Sequence, residues 1–142
     1  MFGLFRKSAP STPRERGEWG ENIAVNHLKA GGWSILERNS RPLKSDRRCE
    51  IDIIAYFKED DLVAFVEVKT HLKKSDNAPR LWAVDRRKKS ALLRACAAWL
   101  RNRHWHGNFR FDVIEVYGTE GGPVEVDHIE RVPLFPPNWR FW

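Results

Sequence analysis

Apolar and polar residues change rhythm several times along the chain, and each change marks an element. Thr12-Pro13-Arg14-Glu15 has the form of a capping box with proline at the first helical position. A first helix then runs to Gly31-Gly32, a pair that stops it. "WSILERN", residues 33–39, reads as a strand, and a basic loop over 40–49 follows. "EIDIIAYFKEDDLVAFVEVKT", residues 50–70, reads as two apolar strands joined by the charged turn Lys58-Glu59-Asp60-Asp61. After the polar loop 72–80, a second helix is expected over about 81–103. Val84, Leu92, Ala95, Cys96 and Trp99 form its apolar stripe at helical spacing. "FRFDVIEVYG" alternates like a strand and "VEVDHIERV" like another, while the tail "PLFPPNWRFW" has no period. The order α-β-β-β-α-β-β predicts an α/β domain with a mixed sheet. The expected organisation is a flexible arm over 1–12, one domain over 13–131 and an aromatic, proline-rich tail over 132–142.

Four ionisable residues, Glu50, Asp52, Glu67 and Lys69, sit inside the two central strands rather than at their turn. Side chains alternate across a strand, so Glu50 and Asp52 share a face, as do Glu67 and Lys69. A hairpin symmetric about its four-residue turn pairs Phe57 with Leu62. Counting back sets Asp52 opposite Glu67 and Glu50 opposite Lys69. Like charges directly opposite are destabilising. A divalent cation between the carboxylates removes the objection, since magnesium favours one or two carboxylates plus waters and phosphate oxygens. Glu21 shares its helical face with Ala24 and Leu28, which turns a third carboxylate inward as another candidate metal ligand. Two plainer readings stand beside these: a solvated strand face for Glu67 and Lys69, and an arginine partner for a half-buried Glu21.

Composition bounds the function. At 142 residues, 42% hydrophobic and 31% charged, the chain has the make-up of one soluble globular domain. No apolar run approaches the roughly 20 residues of a membrane span. The opening residues have no apolar stretch of signal-peptide length. Cys49 and Cys96 form neither a disulfide framework nor a zinc spacing, so a reduced, cytoplasmic location is expected. The net charge of +6 and the pI of 9.6 point to a polyanionic partner, chiefly nucleic acid. The basic residues concentrate in the loop before the hairpin (Arg41, Arg47 and Arg48) and in the second helix (Arg86, Arg87, Lys88, Lys89 and Arg94). The plainer reading of each is a solvated surface.

Together, Gly20-Glu21, "ILERN", Glu50-Ile51-Asp52, Phe65-Val66-Glu67-Val68-Lys69 and Arg110-Phe111-Asp112 resemble the YraN-like family of small bacterial proteins. The resemblance runs from about residue 17 to 129. That family in turn looks like the restriction-endonuclease-like nucleases, whose PD-(D/E)xK core also serves Holliday-junction resolvases. The resemblance implies a mixed β-sheet flanked by helices with a metal site at the hairpin. Asp52 and Glu67 match the metal-binding carboxylates, Lys69 the catalytic lysine and Glu21 the first-helix acid of resolvase-like members. Catalytic Asp52, Glu67, Lys69 and Glu21, with magnesium or manganese on the three acids, is therefore the expectation. Lys88 also falls on the family pattern, as a backbone contact alongside Arg87. Cys49 stands where the family usually has glycine, and His71 where an arginine is typical, which bears on phosphate contact.

Two function classes follow. One is a metal-dependent endonuclease hydrolysing phosphodiester bonds in DNA, branched or damaged DNA included. The other is a non-catalytic nucleic-acid-binding module that keeps the nuclease fold. A homodimer is a candidate assembly, by analogy with resolvase-like nucleases. His104 and His106 lack a third ligand at suitable spacing, and a helix-terminal role fits them better. Trp19, Trp33, Trp82, Trp99 and Trp105 fall mostly at periodic apolar positions and read as core. Trp139, Phe141 and Trp142 lie in the aperiodic tail, positioned to cover the core or to self-associate. Asp112 reads as structural, paired near Arg110 or with an arginine of the second helix.

Overall fold

The computed structural model describes residues 12–74 and 86–142. The helix α1 (Pro13–Ala30) starts at Thr12, whose hydroxyl accepts the Glu15 N–H at 3.1 Å, with Pro13 in the first turn. It ends at Gly31, whose N–H reaches the carbonyls of His27 and Leu28, and Gly32 follows at φ +92°, where glycine is favoured. Strands β1 (Ser34–Ser40), β2 (Ile51–Phe57) and β3 (Leu62–His71) come next, then α2 (Arg86–Asn102), β4 (Asn108–Gly118) and β5 (Val124–Ile129). The five strands form one sheet in sequence order, antiparallel except for the parallel pair β3–β4. This is the mixed sheet flanked by two helices expected above, in the expected order. The first five residues of the expected second helix, with Val84 and Trp82, lie outside the described residues.

The hairpin register is the one the turn predicts. Phe57 pairs with Leu62 and Ile53 with Val66 across a single 3₁₀ turn over Lys58–Asp60, closed by Asp61 in the left-handed region. A register fixed by the turn decides which side chains face each other all the way down the ladder.

The sheet is covered on both faces. Ala24, Val25 and Leu28 of α1 pack on Ile53, Ala55, Ala64, Val66, Ile114 and Val116. On the other face Leu92, Ala95, Cys96, Trp99 and Leu100 of α2 meet Ile54, Val63, Phe65, Phe111 and Val113. The alternation along β2, β3 and β4 thus separates two apolar layers, each large side chain contributing about 1.5–3 kcal/mol by burial. The tail covers the α2-side core: Phe135, Trp139 and Phe141 all contact Phe109 edge-on. Trp142 remains exposed. Trp33, Trp99 and Trp105 serve packing, as their spacing suggested. Trp99 also donates its ring N–H to Glu37 of β1. His104 lies just past the end of α2, its N–H on the Arg101 carbonyl at 3.1 Å. No helix among the described residues is long and apolar enough to cross a membrane.

Candidate active site

Past the Ile53–Val66 pair, the β2–β3 ladder gives way to side-chain chemistry. Asp52, one residue before that pair, accepts the Val68 N–H at 2.8 Å. Continuing the register places Asp52 opposite Glu67, which is 3% exposed. Burial first, and then the Glu67 charge, push the Asp52 carboxyl up to about 8. At neutral pH Asp52 is therefore held as the acid while the pair lacks a cation. A divalent ion between the two oxygens would let both ionise. The donor set thus fits a hard cation of the magnesium or manganese kind.

Two ammonium groups converge on the same carboxylate. Lys69 Nζ lies 3.3 Å from Glu67 Oε1, and Lys88 of α2 contacts that same oxygen. Burial and the neighbouring Lys88 hold Lys69 below the usual lysine range, against the pull of Glu67. Burial opposes the charge on Lys88, but Glu67, Lys69 and Asp52 outweigh it and raise Lys88. Lys69 thus reaches along its own strand to Glu67 rather than across to Glu50. Glu50 instead takes the Arg41 guanidinium at 2.9 and 3.1 Å.

The third acid approaches from α1. Gly20 lets the helix come down on β3, since a Cβ there would lie 2.0 Å from Thr70 Oγ1. The next residue, Glu21, is half-buried and accepts from Asn39 at 3.3 Å, with Arg38 at 3.5 Å. Burial raises its pKa despite these partners, and Glu50 adds to the rise. Among the described residues, no three His, Cys, Asp or Glu side chains come together as a metal-holding group. A cation on Asp52 and Glu67 would thus complete its shell with water or substrate oxygen.

The uncharacterised protein family UPF0102 matches residues 20–116, which include Glu21, Asp52, Glu67 and Lys69. The chain belongs to UPF0102. It is similar to a UPF0102 protein of Pelobacter propionicus, 36% identical over 130 residues, covering 87% of this chain and 89% of that one. A Myxococcus xanthus UPF0102 protein is 38% identical over 125 residues, covering 87% and 93%. One from Clostridium acetobutylicum is 38% identical over 104 residues, covering 72% and 80%.

In this UPF0102 protein the basic residues border the carboxylates unevenly. A cleft of about 520 Å³ is lined by Arg48, Glu50, Arg87, Lys88 and Arg94 and opens beside Glu67's lysine partner. Arg48 and Arg94 both bind Asp46, at 3.1 and 3.3 Å. Arg47 is exposed on the same loop. His71 lies two residues past Lys69 and stacks on Tyr117 with centroids 5.0 Å apart. Its Nε2 is 3.7 Å from Glu115, too long for a hydrogen bond, and is buried without one. The parallel register also sets Glu115 beside Lys69, a neighbour the sequence reading passed over. Its position in "VIEVYG", on the same strand parity as Tyr117, was the available signal. The arginine partner allowed for Glu21 is Arg38, while its amide partner Asn39 was missed.

Proposed function

We propose that this UPF0102 protein is a metal-dependent endonuclease that hydrolyses phosphodiester bonds in DNA, with branched and damaged DNA as the candidate substrates. The observation that carries the reading is the opposition of Asp52 and Glu67 at the end of the hairpin ladder, with Lys69 on the same carboxylate. A sheet alone gains nothing from facing acids, and a pure binding module has no use for them. The resemblance of Asp52, Glu67 and Lys69 to the PD-(D/E)xK residues of restriction-endonuclease-like nucleases supports it.

Asp52 and Glu67 would hold the cation, with Glu21 as the third acid approaching from α1. When bound, magnesium or manganese supplies Lewis-acid polarisation of a phosphoryl oxygen and makes a water more acidic. The chain's own groups do the rest. Val68 N–H fixes one oxygen of Asp52, so the carboxylate is oriented before any ligand arrives. Lys69, fixed on Glu67, presents a donor where charge develops on the phosphate. Lys88 shares Glu67 and faces the basic cleft, where Arg48, Arg87 and Arg94 offer guanidinium groups to flanking phosphates. Such contacts carry affinity without sequence information.

That cleft is also what favours the second reading, a nucleic-acid-binding module without hydrolysis. A cleavage assay separates them, using linear, single-stranded, flap and four-way-junction DNA with magnesium or manganese. The nuclease reading expects cleavage that Asp52→Ala and Glu67→Ala abolish. No cleavage of any substrate by the wild type, with binding intact in both variants, leaves the binding module.

A further inference from the structure

On the opposite face of the sheet, three residues from three elements line up in one hydrogen-bonded row. Asp112 of β4 is fully buried, and its Oδ2 accepts from His128 Nε2 of β5 at 2.8 Å. The carboxylate is fixed by Arg110 at 3.1 and 3.2 Å and by the Arg131 N–H at 3.0 Å. With its Nε2 hydrogen committed to Asp112, a neutral His128 has a bare lone pair on Nδ1. That Nδ1 lies 3.1 Å from Nε2 of His27 on α1, and the rings meet edge to face with centroids 5.2 Å apart. At that distance the N–H of a neutral His27 ring bridges to the bare nitrogen of His128, and a metal ion held by both nitrogens would take the place of that hydrogen.

We propose that His27 and His128 form a second cation site, of the zinc or nickel class, with Asp112 as the carboxylate that orients His128. At metal–nitrogen distances of about 2.0–2.1 Å, the 3.1 Å separation closes a nitrogen–metal–nitrogen angle of about 100°. That lies between the octahedral and tetrahedral values. Imidazole pairs select zinc, nickel or copper over magnesium, so this site and the Asp52–Glu67 pair sort cations by ligand type. A buried carboxylate on the outer nitrogen of a ligating histidine fixes its tautomer and raises its basicity, and Asp112 stands in that place. His27 is exposed, which leaves the remaining coordination positions to water. When the ion enters, the proton between the rings moves to Nδ1 of His27 and no net proton is released. The site ties α1 to β5 across 101 residues of chain, so its occupation stabilises the fold.

The test is calorimetric titration of the untagged full chain with zinc chloride at pH 7.5, with excess magnesium present to occupy carboxylate sites. Thermal melting and copper(II) electron paramagnetic resonance complete it. One equivalent of zinc should bind and raise the melting temperature. His27→Gln, an exposed change that preserves the fold, should weaken binding at least about tenfold. Nitrogen couplings on copper should fall from two rings to one in the same variant. A wild type that binds no zinc, or a His27→Gln protein that binds it as tightly as the wild type, overturns the site. The second outcome would point to the buried thiols of Cys49 or Cys96 instead.

Discussion

Asp52 and Glu67 face each other where the β2–β3 ladder ends, and Asp52 commits one oxygen to the Val68 amide 2.8 Å away. The carboxylate takes a backbone donor on the side of β3 that faces β2. The acid is thereby locked in place, next to a second acid that it repels.

Burial and, after it, that repulsion leave a pH signature in the metal-free protein. The folded pKa of Asp52, about 8, lies above its ordinary 3.8, so the folded state holds a proton that the unfolded chain releases. The stability tied to this proton is fully present below about pH 3.8 and is lost as pH rises through about 8. Asp52→Asn keeps an acceptor for Val68 and removes the titration. It should flatten this part of the profile and stabilise the metal-free protein at pH 8 by on the order of 1 kcal/mol. Urea unfolding of both proteins at pH 5 and pH 8.5 checks it. Parallel profiles would show that burial and Glu67 do not raise Asp52 in the folded protein.

The lysines should separate by role. Lys69→Ala should lower single-turnover cleavage about 100-fold, the scale of losing one donor to developing charge. Lys88→Ala should act mainly on affinity, because the residue borders the basic cleft. Equal losses of rate in both variants would place both lysines at the reacting phosphate.

Gly20 should tolerate no side chain. A Cβ would lie 2.0 Å from Thr70 Oγ1, so Gly20→Ala must turn the Thr70 side chain or move α1 off β3 and should cost about 1–3 kcal/mol. Thr70→Ala removes the oxygen, and the double variant should recover part of the loss. A double-mutant cycle on thermal unfolding measures the coupling. Simple additivity would mean that α1 does not close on β3 there.

Asp112 should matter for folding. It is fully buried and carries Arg110, His128 and the Arg131 amide. Asp112→Ala leaves Arg110, itself only 13% exposed, without its main partner. A loss of about 3–5 kcal/mol is expected, read as the shift in the denaturation midpoint. A loss below about 1 kcal/mol would contradict the burial of this network.

Much of the site was legible because it is local. The cap at Thr12, the stop at Gly31-Gly32 and the apolar stripe of α2 depend on residues three or four apart, which a helix brings together by itself. The facing of Asp52 and Glu67 follows from one short turn, since strand alternation propagates its register down the hairpin. Gly20-Glu21 stood out only as part of the family resemblance, and the close approach of α1 to Thr70 came from the folded chain.

What lay beyond local patterning required the folded chain. Lys88 belongs on Glu67 rather than on a free helix face because α2 packs across the sheet from another part of the sequence. Glu115 stands beside Lys69 through the parallel β3–β4 register, which depends on the crossover through α2 and on no turn. His27 and His128, 101 residues apart, meet because α1 packs on the sheet face toward which His128 of the edge strand β5 points. Periodicity tells which face a residue occupies, and a short turn tells what lies opposite. The neighbours supplied by distant elements are set by packing of the whole core, where no single stretch carries the information.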